Sequence, residues 1–198
     1  MILLPAIFAG IVIALLRGGD LRRLAVLPVH LGWLAVVCLI AQLYVIYSPV
    51  DKLEAERSVH ATLLIGSSVA LLLVVWANRR LPAMAIIGIG LFLNLVVMAA
   101  NGGFMPVSRE ATMAAGTRSV QDAYQEGDRL PRSKDVLLSQ AETRFWILSD
   151  VIVAPQPLAR VYSFGDIVVG AGVFVLLQAA TVTRKNRLTE EISDPAIA

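Results

Sequence analysis

Long apolar blocks separated by short charged connections make up most of the chain outside residues 101–161. Within a block the apolar residues follow neither the period of a strand nor that of an amphipathic helix, so each block is apolar on every side. Such helices are typical of a lipid environment, and about 20 residues are needed to cross its hydrocarbon core. The pattern predicts about five transmembrane helices, at residues 1–16, 24–47, 61–77, 81–100 and 162–183.

Composition supports a membrane protein. Hydrophobic residues make up 57% of the chain and charged residues 16%, against roughly 45–50% and about 25% in soluble domains. The net charge of +2 is small and scattered, which argues against a nucleic-acid partner. We therefore expect residues 1–198 to form a single all-α integral membrane domain whose first partner is the lipid bilayer.

The short connections predict the orientation of the helices. Loop 51–60 carries more acid than base, whereas the connections after the first, third and fifth predicted spans are basic. Lys and Arg accumulate on the cytoplasmic side of membrane proteins, so we expect the N-terminus outside, residues 101–161 outside, and a cytoplasmic tail at 184–198. For a bacterial protein, this orientation predicts a multi-pass protein of the plasma (inner) membrane. The basic residues are Arg17, Arg22, Arg23, Arg79, Arg80, Arg184, Lys185 and Arg187.

The outer segment contains a stripe at helical spacing, made by Leu137, Ala141, Phe145 and Leu148. This spacing predicts an amphipathic helix lying on the outer leaflet. A small packed outer subdomain that uses the same stripe as its core fits equally well. The polar stretch before it, EGDRLPRSKD, predicts a loop.

Asp166 stands at the start of the last predicted span, near the outer boundary of the hydrocarbon core. Together with Ser163 it fits the S/T-x-x-D/E capping box, in which each side chain satisfies a backbone N–H at a helix start. The helix dipole also favours an acid there. Capping accounts for Asp166 without any chemistry, and a reactive role is the alternative.

Asp150 has no such explanation, because it follows the predicted amphipathic helix, where the dipole disfavours a carboxylate. It is solvated, paired with Arg144 or Arg160, or placed for a function. The prolines at 155 and 157 could fold the chain back and bring Asp150 to Asp166. Two carboxylates in a partly dry site do not both ionise easily, which gives the acid and base that aspartyl hydrolysis needs.

Polar residues near these aspartates are weaker candidates. In NGGFMP after the fourth span, Gly102 and Gly103 suit a left-handed helix C-cap, while Asn101 is a candidate orienter of the two carboxylates. Asn94 and Gln42 lie inside predicted spans, where amides commonly bond adjacent helices.

The sequence contains no recognisable motif for binding a metal or a cofactor. The only Cys is Cys38, the only His residues are His30 and His60, and their spacing matches no zinc site. We expect no metal and no cofactor.

The stretches RGGDLRRL, NGGFMPVS, TRFWILSD and YSFGDI together resemble an uncharacterised family of small bacterial membrane proteins, known only as a domain of unknown function. This resemblance spans nearly the whole chain. It implies a polytopic membrane architecture and names no activity.

The last 40 or so residues, with LSDVI and VYSFGDIVVGAGVFVLL, are also similar to the C-terminal half of lipoprotein signal peptidase (signal peptidase II). In that family an N-x-A-D motif opens the last helix. The resemblance implies that Asp150 and Asp166 form a catalytic dyad at the outer leaflet, with a lipoprotein as substrate. Ser163 and Gly165 replace the asparagine and alanine of the motif.

Two functions therefore remain open. The first is a structural or accessory membrane protein that binds a partner protein or lipid through its outer segment, with both aspartates capping or paired. The second is an aspartate-dyad hydrolase acting on a lipidated peptide or a lipid-linked substrate. Transport is disfavoured, because no predicted span carries an ionisable residue near its middle.

Overall fold

The computed structural model describes residues 3–49, 54–116, 123–154 and 158–181. The predicted tail at 184–198 and the prolines at 155 and 157 lie outside these ranges. Seven α-helices, four strands and one 3₁₀ turn, Trp146–Leu148, occur in the described part of the chain. The helices are α1 Leu3–Leu16, α2 Arg22–Ala25, α3 Gly32–Tyr47, α4 Glu54–Ala77, α5 Met84–Ala100, α6 Arg109–Ala114 and α7 Phe164–Thr181, and the strands are β1 Met105–Val107, β2 Asp135–Leu137, β3 Asp150–Ala154 and β4 Arg160–Ser163.

Two helices, α4 with 24 residues and α7 with 18, are long and apolar enough to cross a membrane. In each, only 28% of the most apolar window is buried, whereas the core helix of a soluble protein is mostly buried. Helices α3 and α5, together with Pro5–Leu16 of α1, are apolar but shorter. The structure is thus mostly helical, and two helices of membrane-spanning length support an association with a membrane.

The helix bounds differ from the predicted spans where local chemistry intervenes. The span predicted at 24–47 is broken, because α2 ends at Ala25 and α3 begins only at Gly32. Pro28 lies between them, lacks a backbone N–H and disfavours helix for the residue before it. Helix α4 begins at Glu54, earlier than the predicted 61, because its first two turns carry charged side chains that an apolar pattern does not include.

The prediction of an all-α fold is wrong, because residues 105–163 contain a four-stranded sheet in the order β2-β1-β3-β4. Strand β1 is parallel to β2 and β3, and β4 is antiparallel to β3. These strands have only three to five residues each, too few to show a period in the sequence. Their pairing joins segments that are far apart along the chain.

The predicted amphipathic helix at 137–148 is also wrong. Leu137 belongs to β2 and is 1% exposed, Phe145 has a left-handed backbone with φ 57°, and only a short 3₁₀ turn follows it. The alternative, a small packed subdomain with this stripe as its core, holds only in part: Leu137 packs with Val107, Ala111 and Leu130 in a buried cluster, but Ala141 and Phe145 are exposed.

The subdomain is fastened to one end of the helical bundle. The Arg129 side chain is 1% exposed and donates from Nη1 to the carbonyl of Val45 at 3.0 Å and from Nη2 to that of Ser48 at 3.2 Å, both at the end of α3. At the opposite end of the bundle, the Asn78 side chain accepts a hydrogen bond from the His30 N–H through Oδ1 and donates one to the His30 carbonyl through Nδ2. The sheet and the arginine-rich connections after α1 and α4 therefore lie at opposite ends.

Candidate functional site

The register of the sheet places two aspartates on one of its faces. Asp135 of β2 is paired with Met105, and Asp150 of β3 is paired with Val107. Side chains two residues apart on a strand point to the same face, and paired residues on adjacent strands share that face. Asp135 and Asp150 therefore flank β1 on the same side of the sheet.

A third aspartate is added by the junction of β4 with α7. Asp150 lies opposite Ser163 in the antiparallel pair, and α7 begins at the next residue. The Ser163 Oγ accepts a hydrogen bond from the backbone N–H of Asp166 at 3.0 Å. The predicted cap is thus present on the serine side. The Asp166 carboxylate instead interacts with side chains of other elements.

The Asp166 carboxylate is held by two groups from other elements. Its Oδ1 accepts a hydrogen bond from Asn94 Nδ2 at 2.9 Å, and the Lys134 Nζ lies 3.7 Å from the same oxygen. Asn94 in turn accepts from the buried Ser163 Oγ at 2.8 Å through its Oδ1. The serine cap, the asparagine and the carboxylate form one chain of hydrogen bonds. Asn94, which the sequence assigns to helix packing, is the group that orients Asp166.

Close contact of α5 and α7 makes this arrangement possible. A Cβ built on Gly90 would lie 2.6 Å from the carbonyl oxygen of Gly165, and one built on Gly165 would overlap the Asn94 Oδ1. Glycine at both positions therefore lets the helices approach until Asn94 reaches Asp166.

Asp150 is the most deeply placed of the three acids, with 2% of its surface exposed. Within the described part of the chain, its Oδ1 has no hydrogen-bond partner. Burial, the nearby charge of Asp135 and then that of Asp166 raise the pKa of Asp150 well above its usual range, although Lys134 opposes them. An arginine pair, one of the options left open by the sequence, is not found in the described residues. A raised pKa lets a carboxyl group keep its proton to a higher pH, which suits it to act as an acid.

Sequence reasoning missed Lys134 and Asp135, because both lie in the polar stretch predicted as a loop. Residues 127–130 and 135–137 are bonded as a hairpin, in which the Leu130 N–H donates to the Asp135 carbonyl at 2.8 Å. Burial raises the pKa of Asp135, which also accepts a hydrogen bond from the Ser133 hydroxyl. Burial would lower the pKa of Lys134, but the three aspartates outweigh it and raise that pKa.

Asn101 is not brought to the carboxylates. Its Nδ2 donates to the carbonyls of Val97 at 2.8 Å and Arg144 at 2.9 Å, and its Oδ1 accepts from the Arg144 N–H at 2.9 Å. It fastens the end of α5 to the subdomain that contains the sheet. Gly102 and Gly103 adopt positive φ values of 73° and 92°, and the Gly103 N–H reaches the Met98 carbonyl, which confirms the predicted helix C-cap.

All three aspartates line one cavity of about 930 Å³. Asn94 and Lys134 also line it, and the other lining residues from the helices are mostly apolar, with Gln42 and Ser68 as polar exceptions. The apolar lining includes Pro5, Leu43, Leu64, Leu71, Leu91 and Val169. Pockets that accept small molecules combine such an apolar wall with a few converging polar groups.

No curated protein and no solved structure matches the chain. A family model described as a family of unknown function, DUF5317, matches residues 27–178, about three-quarters of the chain. The matched range runs from just before α3 to near the end of α7 and contains the sheet, Asn94 and all three aspartates. The chain belongs to this family of unknown function, DUF5317.

Proposed function

We propose that this protein is a multi-pass protein of the bacterial plasma membrane whose outer face carries an aspartyl hydrolase site. For the membrane placement, support comes from outward-facing apolar side chains on the shorter helices as well as on α4 and α7. Phe8 of α1 is 70% exposed, Ile40 of α3 is 61% exposed and Phe92 of α5 is 55% exposed. Surfaces of this kind are stable against lipid and costly against water.

In this proposal five helices cross the bilayer, with the N-terminus outside and the C-terminus inside. The described arginines of the short connections, Arg17, Arg22, Arg23, Arg79 and Arg80, lie at the bundle end opposite the sheet. Positive residues favour the cytoplasmic side. The sheet and its aspartates then lie at the outer leaflet.

One observation carries the hydrolase proposal. Asp150 is buried, and its Oδ1 has no hydrogen-bond partner among the described residues. It lines the same cavity as Asp166, whose carboxylate is held by Asn94 and Lys134. The two acids differ sharply in environment: one favours the protonated form and the other is ion-paired. Such a difference is how an active site separates a general acid from a general base.

The reaction is hydrolysis of an amide bond in a lipidated peptide. The Asp166 carboxylate removes a proton from water as the water oxygen attacks the carbonyl carbon, and Asp150 donates its proton to the carbonyl oxygen. The tetrahedral diol then collapses. Asp166 returns its proton to the leaving nitrogen as the C–N bond breaks, and Asp150 recovers a proton from the diol. One water is consumed, and the products are a carboxylic acid and an amine.

Asp135 and Lys134 act through these two acids. Asp135 shares a side-chain hydrogen bond with Asp150 and, through its charge, helps to hold the proton there. Lys134 places a positive charge beside Asp166 and limits the repulsion among three acids. Both are positioning residues.

The test uses the purified protein in lipid nanodiscs with a panel of fluorogenic acylated peptides. We expect cleavage by the parent protein and a loss of 10²-fold or more for Asp150→Asn and Asp166→Asn, since a general acid or base contributes about 10²–10⁴-fold. Glu142→Asn, an exposed acid of the same subdomain, is the control and should leave the rate unchanged. Cleavage that survives both aspartate changes would refute the proposal.

The second candidate is an accessory protein that docks a partner through its outer segment. It is favoured by the exposed apolar side chains of the 3₁₀ region, where Phe145 is 56% exposed and Ile147 is 78% exposed. A partner recovered in mild detergent by the parent protein and by Asp150→Asn, but lost on Ile147→Ser, would support it. Equal recovery by Ile147→Ser would count against it.

A further inference from the structure

The cavity has a second set of charged groups that the aspartyl mechanism does not use. Arg132 and Arg160 both line it and both are exposed to solvent at its polar side. Neither forms an ion pair with a described residue. Two exposed guanidinium groups without acidic partners are suited to bind an anion, because each offers several N–H donors in a planar fork.

The charge balance of the lining favours a negative ligand. Three cations face three acids around the cavity, and Asp150 favours its neutral form. The raised pKa of Asp150 therefore shifts the charge of the lining in the positive direction. The six groups are Arg132, Lys134, Arg160, Asp135, Asp150 and Asp166.

The helical part of the lining of the same cavity is mostly apolar. Leu64 and Leu71 of α4 both line it, with Ser68 between them, and seven residues of helix separate the two leucines by about 10 Å along the axis. Leu91 of α5 and Pro5 of α1 line it as well. A mostly apolar lining over this length suits an acyl chain, because burial removes the methylene groups from water.

We propose that the cavity binds an anionic amphiphile lengthwise, with its acyl chain along Leu64 and Leu71 and its anionic group, a phosphate or a carboxylate, at Arg132 and Arg160. The inference rests on the proposed hydrolase, since it names the substrate class of that site. The bond to be cleaved then lies beside Asp150 and Asp166, between the tail and the anionic group.

Binding is measured on the Asp150→Asn/Asp166→Asn double variant in nanodiscs, so that it does not depend on turnover. The probes are dodecyl phosphate, dodecanoyl-glutamate and a neutral dodecyl glucoside, each in competition with a fluorescent fatty acid. We expect the two anionic probes to bind roughly tenfold more tightly than the neutral one, because only the anionic probes form charge-assisted hydrogen bonds with Arg132 and Arg160. The phosphate and glutamate arms identify which anion is preferred.

Two variant pairs locate the ligand. Arg132→Gln and Arg160→Gln should each weaken the anionic probes roughly fivefold and leave the neutral probe unchanged. Arg144→Gln, an exposed arginine that does not line the cavity, is the matched control. Leu71→Trp should weaken hexadecyl phosphate more than octyl phosphate, whereas Leu73→Trp should change neither, because Leu73 is 54% exposed on the outer face of α4.

Equal affinity for the neutral and anionic probes, or an equal effect of Arg144→Gln, would overturn the inference while leaving the hydrolase intact. Selective binding without peptide cleavage by the parent protein would instead refute the hydrolase and retain the anionic amphiphile as the ligand. The two failures are therefore distinguishable.

Discussion

Asp150 and Ser163 lie directly opposite each other in the antiparallel pair of β3 and β4. Through its hydroxyl, Ser163 joins the cap of α7 to Asn94 and thereby to Asp166. The serine that the sequence offers as an ordinary cap is thus the structural link between the two acids of the candidate dyad.

Replacing Asn94 with alanine should uncouple Asp166 from this link. We expect a loss of about 1–3 kcal/mol in the free energy of unfolding, because Ser163 Oγ and the Asp166 carboxylate each lose a partner. Turnover per folded molecule should fall as well, measured by the peptide assay after correction for folded fraction.

Asn78→Ala is the matched control, since Asn78 is 2% exposed and bonds the backbone of His30 at the other end of the bundle. It should destabilise the protein similarly and leave turnover per folded molecule intact. An equal fall in turnover for both variants would show that Asn94 acts only through stability.

A methyl group at Gly165 should push α5 and α7 apart. The added Cβ meets Asn94 and the carbonyl of Gly90, and such overpacking costs about 1–3 kcal/mol or more. Thermal unfolding of Gly165→Ala in nanodiscs should show a lower midpoint. Gly66→Ala, whose Cβ meets nothing within 4 Å in the middle of α4, should be neutral or slightly stabilising.

Stability should fall as pH rises above the ordinary range of an aspartic acid. Because the folded-state pKa of Asp150 is raised, the folded protein binds more protons than the unfolded chain, and the slope of unfolding free energy against pH is negative. The contribution is fully present below the unfolded pKa and is lost by the time pH exceeds the raised value. Asp135 adds in the same direction.

Asp150→Asn should flatten this dependence, as followed by unfolding midpoints across acidic to neutral pH. Glu142→Gln, at an exposed site, should leave the profile as it is. A profile of Asp150→Asn that retains the full slope would mean that the buried carboxyl is not the source.

Cysteine labelling tests the proposed orientation. In a Cys38→Ser background, a membrane-impermeant maleimide should label Glu142→Cys in intact cells and Arg80→Cys only after permeabilisation, since both positions are exposed at opposite ends of the bundle. The reverse pattern would place the aspartates on the cytoplasmic side and remove the outer-leaflet site.

The helices could be predicted from the sequence, while the sheet could not. An apolar block such as 84–100 carries its signal within itself, because every position favours the same environment. Strands of three residues such as Met105–Val107 carry none, and their stability depends on partners about thirty residues away.

The candidate site likewise contains some residues that could be predicted from the sequence and others that could not. Asp150 and Asp166 could be found because each is an acid beside an apolar run. Lys134 and Asp135 could not, because a polar, turn-rich stretch gives no sign that it will be folded back over a buried face. The sequence predicts a packing role for Asn94, and only the close approach of α5 and α7 directs it to Asp166.

No residue separates β4, which ends at Ser163, from α7, which begins at Phe164. A rotation or tilt of α7 is therefore transmitted directly to β4, because no linker lies between them. In the proposed membrane placement, a tilt that a thicker or thinner bilayer imposes on α7 would be passed to β4, whose Ser163 lies opposite Asp150, so the spacing of the two acids would respond to the thickness of the surrounding lipid.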